Sequence, residues 1–113
     1  ATDDRLIEMS YGDLEGTTQA EFKAKDRETY YARKADHWAF KPLNGESHSD
    51  VLERIKAWHS GLDTNGKYLV TAHGAVGRVV RHLLAGIDVK EVCKTTFPQD
   101  KVFRFESGRE EVI

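Results

Sequence analysis

The sequence holds a single cysteine, Cys93, which excludes an intrachain disulfide. Such sparse cysteine suits a reducing compartment. No stretch approaches the ~20 consecutive apolar residues of a membrane span, and the opening segment ATDDRLIEMS lacks the apolar core of a signal peptide. An excess of either charge is also lacking: the formal net charge of −2 argues against bulk affinity for nucleic acid while leaving room for a local basic pocket. A cytoplasmic protein is expected, with neither nucleic acid nor membrane as partner. Among the five histidines no pair has close ligand spacing with a carboxylate or cysteine partner, so neither a metal nor a cofactor is expected. Repeats, low-complexity tracts and internal boundaries are absent, and residues 1–113 read as a single domain.

What is present is a 39% hydrophobic content, enough for a core, and a patterned order of elements. Tyr68-Leu69-Val70 reads as a short buried strand. After Gly74, Val76, Val79, Val80, Leu83 and Leu84 recur at helical spacing, and Gly86 supplies a stop. His73 therefore stands at the end of a strand, just before a helix amino terminus. In open α/β sheets ligands bind there, and the free N–H groups of a helix start favour an anion. Upstream, RLIEMS reads as a short strand or extended segment and YGDLEG as a turn. Residues 17–38 read as a charged helix with Thr17 or Thr18 as cap. Ser47 and Asp50 look like a capping signal for a helix that buries Val51, Leu52, Ile55 and Trp58 and ends at Gly61. DVKEVCKTTF predicts a short helix, with Cys93 as a small buried side chain; KVFRFES and GREEVI predict strands. Helices alternating with strands imply an α/β sandwich, although convincing strands are few.

Four segments, LIEMSYGDLEG, PLNGES, VTAHGAVGR and FPQDKVFRF, together resemble the histidine phosphatase superfamily in its phosphoglycerate mutase-like branch. The resemblance covers nearly the whole chain and implies a three-layer α/β/α sandwich, incomplete in this chain. It also implies phosphoryl transfer through a phosphohistidine, with arginines and a second histidine around the phosphate. By that likeness His73 is the second phosphate-pocket histidine, with the Gly74 N–H as a further donor, and Glu8 is the acid that protonates the leaving oxygen. A carboxyl with an ordinary pKa of about 4.3 is a poor acid at neutral pH unless burial or neighbouring negative charge raises it; substrate phosphate would supply that charge. Tyr11 matches an aromatic position that touches substrate, and equally suits wall packing. Asp13 and Glu15 read as solvated or capping, Glu46 and Ser47 as loop and cap, and Arg78 as an outer or surface residue. The segment from Thr17 to Phe40 is the expected cap, with Arg27, Arg33 and Lys34 placed to meet an anionic substrate.

Departures from the family pattern shape the expectation further. The chain has no RHG segment, which in the family carries the nucleophile and an arginine. None of His37, His48, His59 or His82 follows a strand and an arginine. The sequence is therefore expected to be the C-terminal part of such a domain, its nucleophile supplied by an N-terminal fragment or a second chain that completes the sheet. Ala75, Met9 and Gln19 stand where glycolytic mutases carry polar or basic residues, which favours hydrolysis of phosphomonoesters over mutase chemistry. The expected partner is a phosphorylated small molecule or phosphate. The alternative is a non-catalytic phospholigand-binding or regulatory relative that lacks the nucleophile.

Overall fold

A computed structural model describes residues 1–113. Five helices and one hairpin follow in chain order: α1 (Gln19–Lys25), α2 (Arg27–Ala35), α3 (His48–Ser60), α4 (Gly74–Ala85), α5 (Val89–Lys94), β1 (Phe103–Glu106) and β2 (Arg109–Val112). Single 3-10 turns occupy Asp4–Leu6 and Gly12–Leu14.

Local chemistry sets the helix ends. Ser47 and Asp50 close a reciprocal capping box at the start of α3, each side chain bonding the other's backbone N–H. Thr18 caps α1 by accepting from the Glu21 N–H. The charged run is not one helix: Asp26 ends α1 and its side chain accepts from the Thr29 N–H to begin α2. α4 ends at Gly86 in the left-handed region, φ 67°. The hairpin turns on Ser107 and Gly108, both at positive φ, which matches the right-handed twist of its strands.

α3 and α4 pack face to face around Met9, Val51, Ile55, Ala75, Val76 and Val79. Leu52, Trp58, Val80 and Leu83 flank this core. The hairpin is held on α4 by the Arg81–Glu110 ion pair, both side chains mostly buried, and by Phe97 stacked on Phe103 at 4.5 Å.

One expected strand, and the start of a segment expected as strand or extended chain, take other forms. RLIEMS forms a 3-10 turn at its start because Asp3 accepts from the backbone and the guanidinium of Arg5, which curls the chain. Residues 67–72 run without a backbone hydrogen bond, and Leu69 is 91% exposed. An apolar stretch of this kind finds no neighbour within the chain, so the sheet here is the two-stranded β1–β2 hairpin alone. The shape agrees: the radius of gyration is 15.1 Å, against ~13 Å for a closed domain of this length. No helix is long and apolar enough to cross a membrane.

The YGDLEG and PLNGES segments interlock. Glu46 N–H donates to the Ser10 carbonyl at 2.8 Å and Asp13 N–H to the Leu43 carbonyl at 2.9 Å. The Glu46 carboxylate accepts from the Ser10 N–H and from Arg54, whose guanidinium also reaches the Arg5 carbonyl. Burial alone would raise the Glu46 carboxyl; Arg54 and the Ser10 N–H outweigh it and hold it below its ordinary range. Gly12 sits at φ 53°, and a Cβ there would lie 2.2 Å from the Leu43 carbonyl oxygen. Gly12→Ala combines left-handed strain of about 1–2 kcal/mol with a backbone clash of about 1–3 kcal/mol. A loss of about 2–5 kcal/mol in denaturant unfolding is the expected result, with Asp13→Ala nearly silent by comparison.

Candidate active site

The amino terminus of α4 is where the chain's chemistry gathers. His73 is its N-cap residue, in extended conformation (φ −125°, ψ 173°), with a side chain that makes no capping hydrogen bond and lies exposed. The first turn of any α-helix leaves N–H groups without intrahelical partners, and their dipoles favour negative charge. Glu8, 65 positions upstream, answers them. Its Oε2 accepts from the Ala75 N–H at 3.2 Å and its Oε1 from the Val76 N–H at 3.3 Å. The Met9 N–H donates to Oε1 at 2.9 Å. A Cβ on Gly74 would stand 4.0 Å from Oε2. The Gly74 N–H has no partner in the chain.

The fold makes this meeting through its core. Met9, next to Glu8, is buried against Val76 and Val79 of α4 and Val51 and Ile55 of α3. The carboxylate is therefore fixed on both sides, by an apolar anchor behind it and three N–H donors before it. Tyr11 is half-buried at the same edge. Burial first, then the Glu8 charge, raises its phenol above the ordinary range, while Arg78 and Arg33 pull the other way. Thus Glu8 meets the helix start formed by His73 and Gly74, and Tyr11 lies near enough to feel the Glu8 charge. Asp13 lies in the Gly12–Leu14 turn and accepts from the Asn44 amide, while Glu15, just after the turn, accepts from the Tyr11 N–H and stands beside that residue. Glu46 and Ser47 are taken up by the loop clamp and the α3 cap.

A second group of residues was not legible as a site. His37, expected inside a helix, follows the end of α2 and accepts from the Arg33 guanidinium at 2.9 Å, so its Nε2 is unprotonated. Its ring stands edge-on to His48 at 5.1 Å, and Trp38 stacks on His48 at 5.4 Å. His48 is 1% exposed, and its ring nitrogens make no well-formed hydrogen bond, although the His37 backbone lies close enough to act on the ring. Arg78, expected at the periphery, has its Nε buried and unpartnered. The one sequence cue was the Arg33–His37 spacing of four; His48 and Arg78 come from two further elements, α3 and α4. Cys93, half-buried rather than fully buried, lies close enough for Arg78 to act on its thiol, which burial raises.

Burial, with smaller contributions from His37 and Arg78, pushes His48 down to about 4. His37 is lowered by burial and then by Arg33 and Arg78. An unfolded histidine titrates near 6.5, so below that pH the unfolded chain takes up a proton that folded His48 refuses. Stability therefore rises with pH across this window and is lost as pH falls. Between pH 7 and pH 5 the His48 share of that loss is about 2 kcal/mol. Urea unfolding at both pH values checks this: His48→Phe flattens the dependence, and an unchanged slope would refute it.

The chain belongs to the histidine phosphatase superfamily (branch 1), whose family model matches residues 1–112. Over 104 residues it is 28% identical to a 6-phosphofructo-2-kinase/fructose-2,6-bisphosphatase of Arabidopsis thaliana, a match that covers 91% of this chain and 14% of the plant protein. Among solved structures it is similar to one described as an α-ribazole-5′-P phosphatase from Escherichia coli. That match has a TM-score of 0.76 and 22% identity, over 98% of this chain and 57% of the other. It is also similar to mycobacterial glucosyl-3-phosphoglycerate phosphatase in complex with inorganic phosphate, with a TM-score of 0.69 and 24% identity over 98% of this chain and 61% of that one. The fold is thus the phosphoglycerate mutase-like one, and the chain spans about 60% of these solved relatives' length.

Proposed function

We propose that this chain is part of a phosphomonoester hydrolase of the histidine phosphatase type. Glu8 is its proton donor and His73 its second phosphate-pocket histidine; Gly74 and Tyr11 serve the substrate. The observation that carries the reading is the Glu8 carboxylate seated on the Ala75 and Val76 N–H groups, at the helix terminus that His73 opens.

The chemistry divides into two displacements. In the first, a histidine nitrogen forms a bond to phosphorus as the ester P–O bond breaks, and Glu8 gives its proton to the departing alkoxide. In the second, water attacks the phosphohistidine, Glu8 takes the water proton, and phosphate and free histidine result. His73 and the Gly74 N–H face charge that builds on the phosphoryl oxygens, where preorganised donors contribute most. The nucleophile lies on a strand that pairs along residues 67–72, provided by an N-terminal fragment or a second chain. The open backbone of that stretch and the exposed Leu69 support this placement, because an unpaired apolar strand edge calls for a partner. The named activities of the relatives are all directed at phosphate esters, which supports a small phosphorylated substrate.

The test is hydrolysis of small phosphomonoesters by the intact polypeptide in the presence of a chelator. Turnover that persists is the expected result. Activity that vanishes and returns with zinc or magnesium would overturn the reading, and phosphate binding without turnover would establish the non-catalytic alternative.

A further inference from the structure

The chain's two asparagines, Asn44 and Asn65, are each followed by glycine. That pairing is chemically fragile. Glycine has no side chain to shield its backbone nitrogen, which lies within reach of the preceding side-chain amide. The structure holds the two pairs differently. Both asparagines are exposed, and both glycines donate their N–H to a carbonyl three residues back, Gly45 to Pro42 at 3.0 Å and Gly66 to Asp63 at 2.9 Å. With that bond common to both, the difference lies in the side chain and in the room around the backbone.

Asn44 is locked. Its Nδ2 donates to the Asp13 carboxylate at 3.1 Å, and its backbone sits in the left-handed region at φ 60°. Gly45 beside it is walled in: a Cβ there would lie 2.6 Å from Pro42 Cγ, 2.8 Å from the Ser10 carbonyl oxygen and 2.9 Å from the Gly12 nitrogen. Asn65 is free. Its backbone N–H donates to the Asp63 carboxylate at 3.0 Å, but no hydrogen bond within the chain engages its side-chain amide. The nearest atoms to a Cβ on Gly66 belong to the ring of the exposed Tyr68, which can swing aside, and whose hydroxyl clasps Asp63 and not Asn65. Residues 67–72, which follow, make no backbone hydrogen bond, so the loop moves at little cost.

We propose that Asn65–Gly66 is a self-modification site of the folded protein, at which Asn65 deamidates far faster than Asn44. The Gly66 backbone nitrogen gives up its proton to solvent and forms a bond to Asn65 Cγ. The Cγ–Nδ2 bond breaks, and the nitrogen takes up a proton and leaves as ammonia, which gives a cyclic imide. Water then adds to one of the ring's two carbonyls and opens it. Opening at the side-chain carbonyl gives aspartate, and opening at the backbone carbonyl gives isoaspartate. Each product places a new negative charge beside Lys67. Isoaspartate also routes the main chain through a side-chain carbon, inside the loop that Tyr68 closes on Asp63.

Peptide mapping by mass spectrometry, on the intact polypeptide incubated folded in neutral buffer, tests this. Carboxyl replaces amide at residue 65 about 10- to 100-fold faster than at residue 44, the factor that one hydrogen bond to a charged group contributes. Methylation by an isoaspartyl methyltransferase labels the same peptide, and Asn65→Gln removes both signals. In concentrated guanidinium chloride, where neither loop is held, the two rates converge. Equal rates in the folded protein, or faster loss at residue 44, overturn the proposal. A difference that persists undiminished in guanidinium chloride also overturns it, because the fold is then not its cause. None of these readouts needs turnover, so the hydrolase reading stands or falls separately.

Discussion

His73→Ala lowers turnover of small phosphomonoesters by the intact protein about 10²- to 10³-fold. The size follows from position. His73 caps α4 in extended conformation, with its ring exposed and free of internal hydrogen bonds, so it is available to a ligand at the helix terminus. A donor fixed where charge develops in a transition state is worth about 3–4 kcal/mol, and alanine removes it without disturbing the core. The loss falls on kcat more than on KM, because the equatorial oxygens carry more charge in flight than in the bound ester. Steady-state kinetics on one substrate is sufficient. A loss confined to KM would make His73 a simple binding residue. Unchanged kinetics would remove it from the site.

Glu8→Gln has an effect that depends on the leaving group. An alkyl phosphate departs as a strongly basic alkoxide and needs a proton in the transition state; a nitrophenyl phosphate departs as a stabilised phenolate and does not. General acid catalysis contributes about 10²- to 10⁴-fold, so Glu8→Gln loses that factor on alkyl esters and little of the first step on nitrophenyl esters. Glutamine is isosteric, but its single carbonyl oxygen can replace only one of the two carboxylate oxygens, so it keeps either the Ala75 bond or the Val76 and Met9 bonds. The buried Met9 beside it keeps the segment anchored in the core, and unchanged circular dichroism shows that the loss is chemical. Equal losses on both ester classes would mean that Glu8 positions the helix terminus and donates no proton.

How much of this was legible depends on the range of the interactions involved. The α3 cap and the strands β1 and β2 were legible from local pattern, Ser47 three residues before Asp50 and the alternation of KVFRFES, whereas their pairing through Ser107 and Gly108 came from the structure. The 3-10 turn at Asp4–Leu6 was missed because side-chain bonds from Arg5 to Asp3 leave no trace in apolar periodicity. The break at Asp26 had a local cue, an aspartate three residues before Thr29, hidden in a run of charge. Tyr68-Leu69-Val70 has strand composition, but a ladder takes two segments, and no other segment of the described residues forms a backbone hydrogen bond with this one. At the candidate site, Glu8 and His73 stood out through short motifs. The Arg33, His37, His48 and Arg78 cluster did not, because its members come from different elements and their meaning lies in what they fail to pair with.

The most direct test of the central reading is a rapid-quench experiment with a phosphate-labelled monoester and the intact polypeptide, followed by identification of the labelled residue. The account predicts an acid-labile, alkali-stable phosphohistidine on a residue other than His37, His48, His59, His73 and His82. Glu8→Gln should still label from a nitrophenyl ester. Label on His73 would contradict the division of roles proposed here, and turnover without any phosphorylated histidine would contradict the mechanism itself.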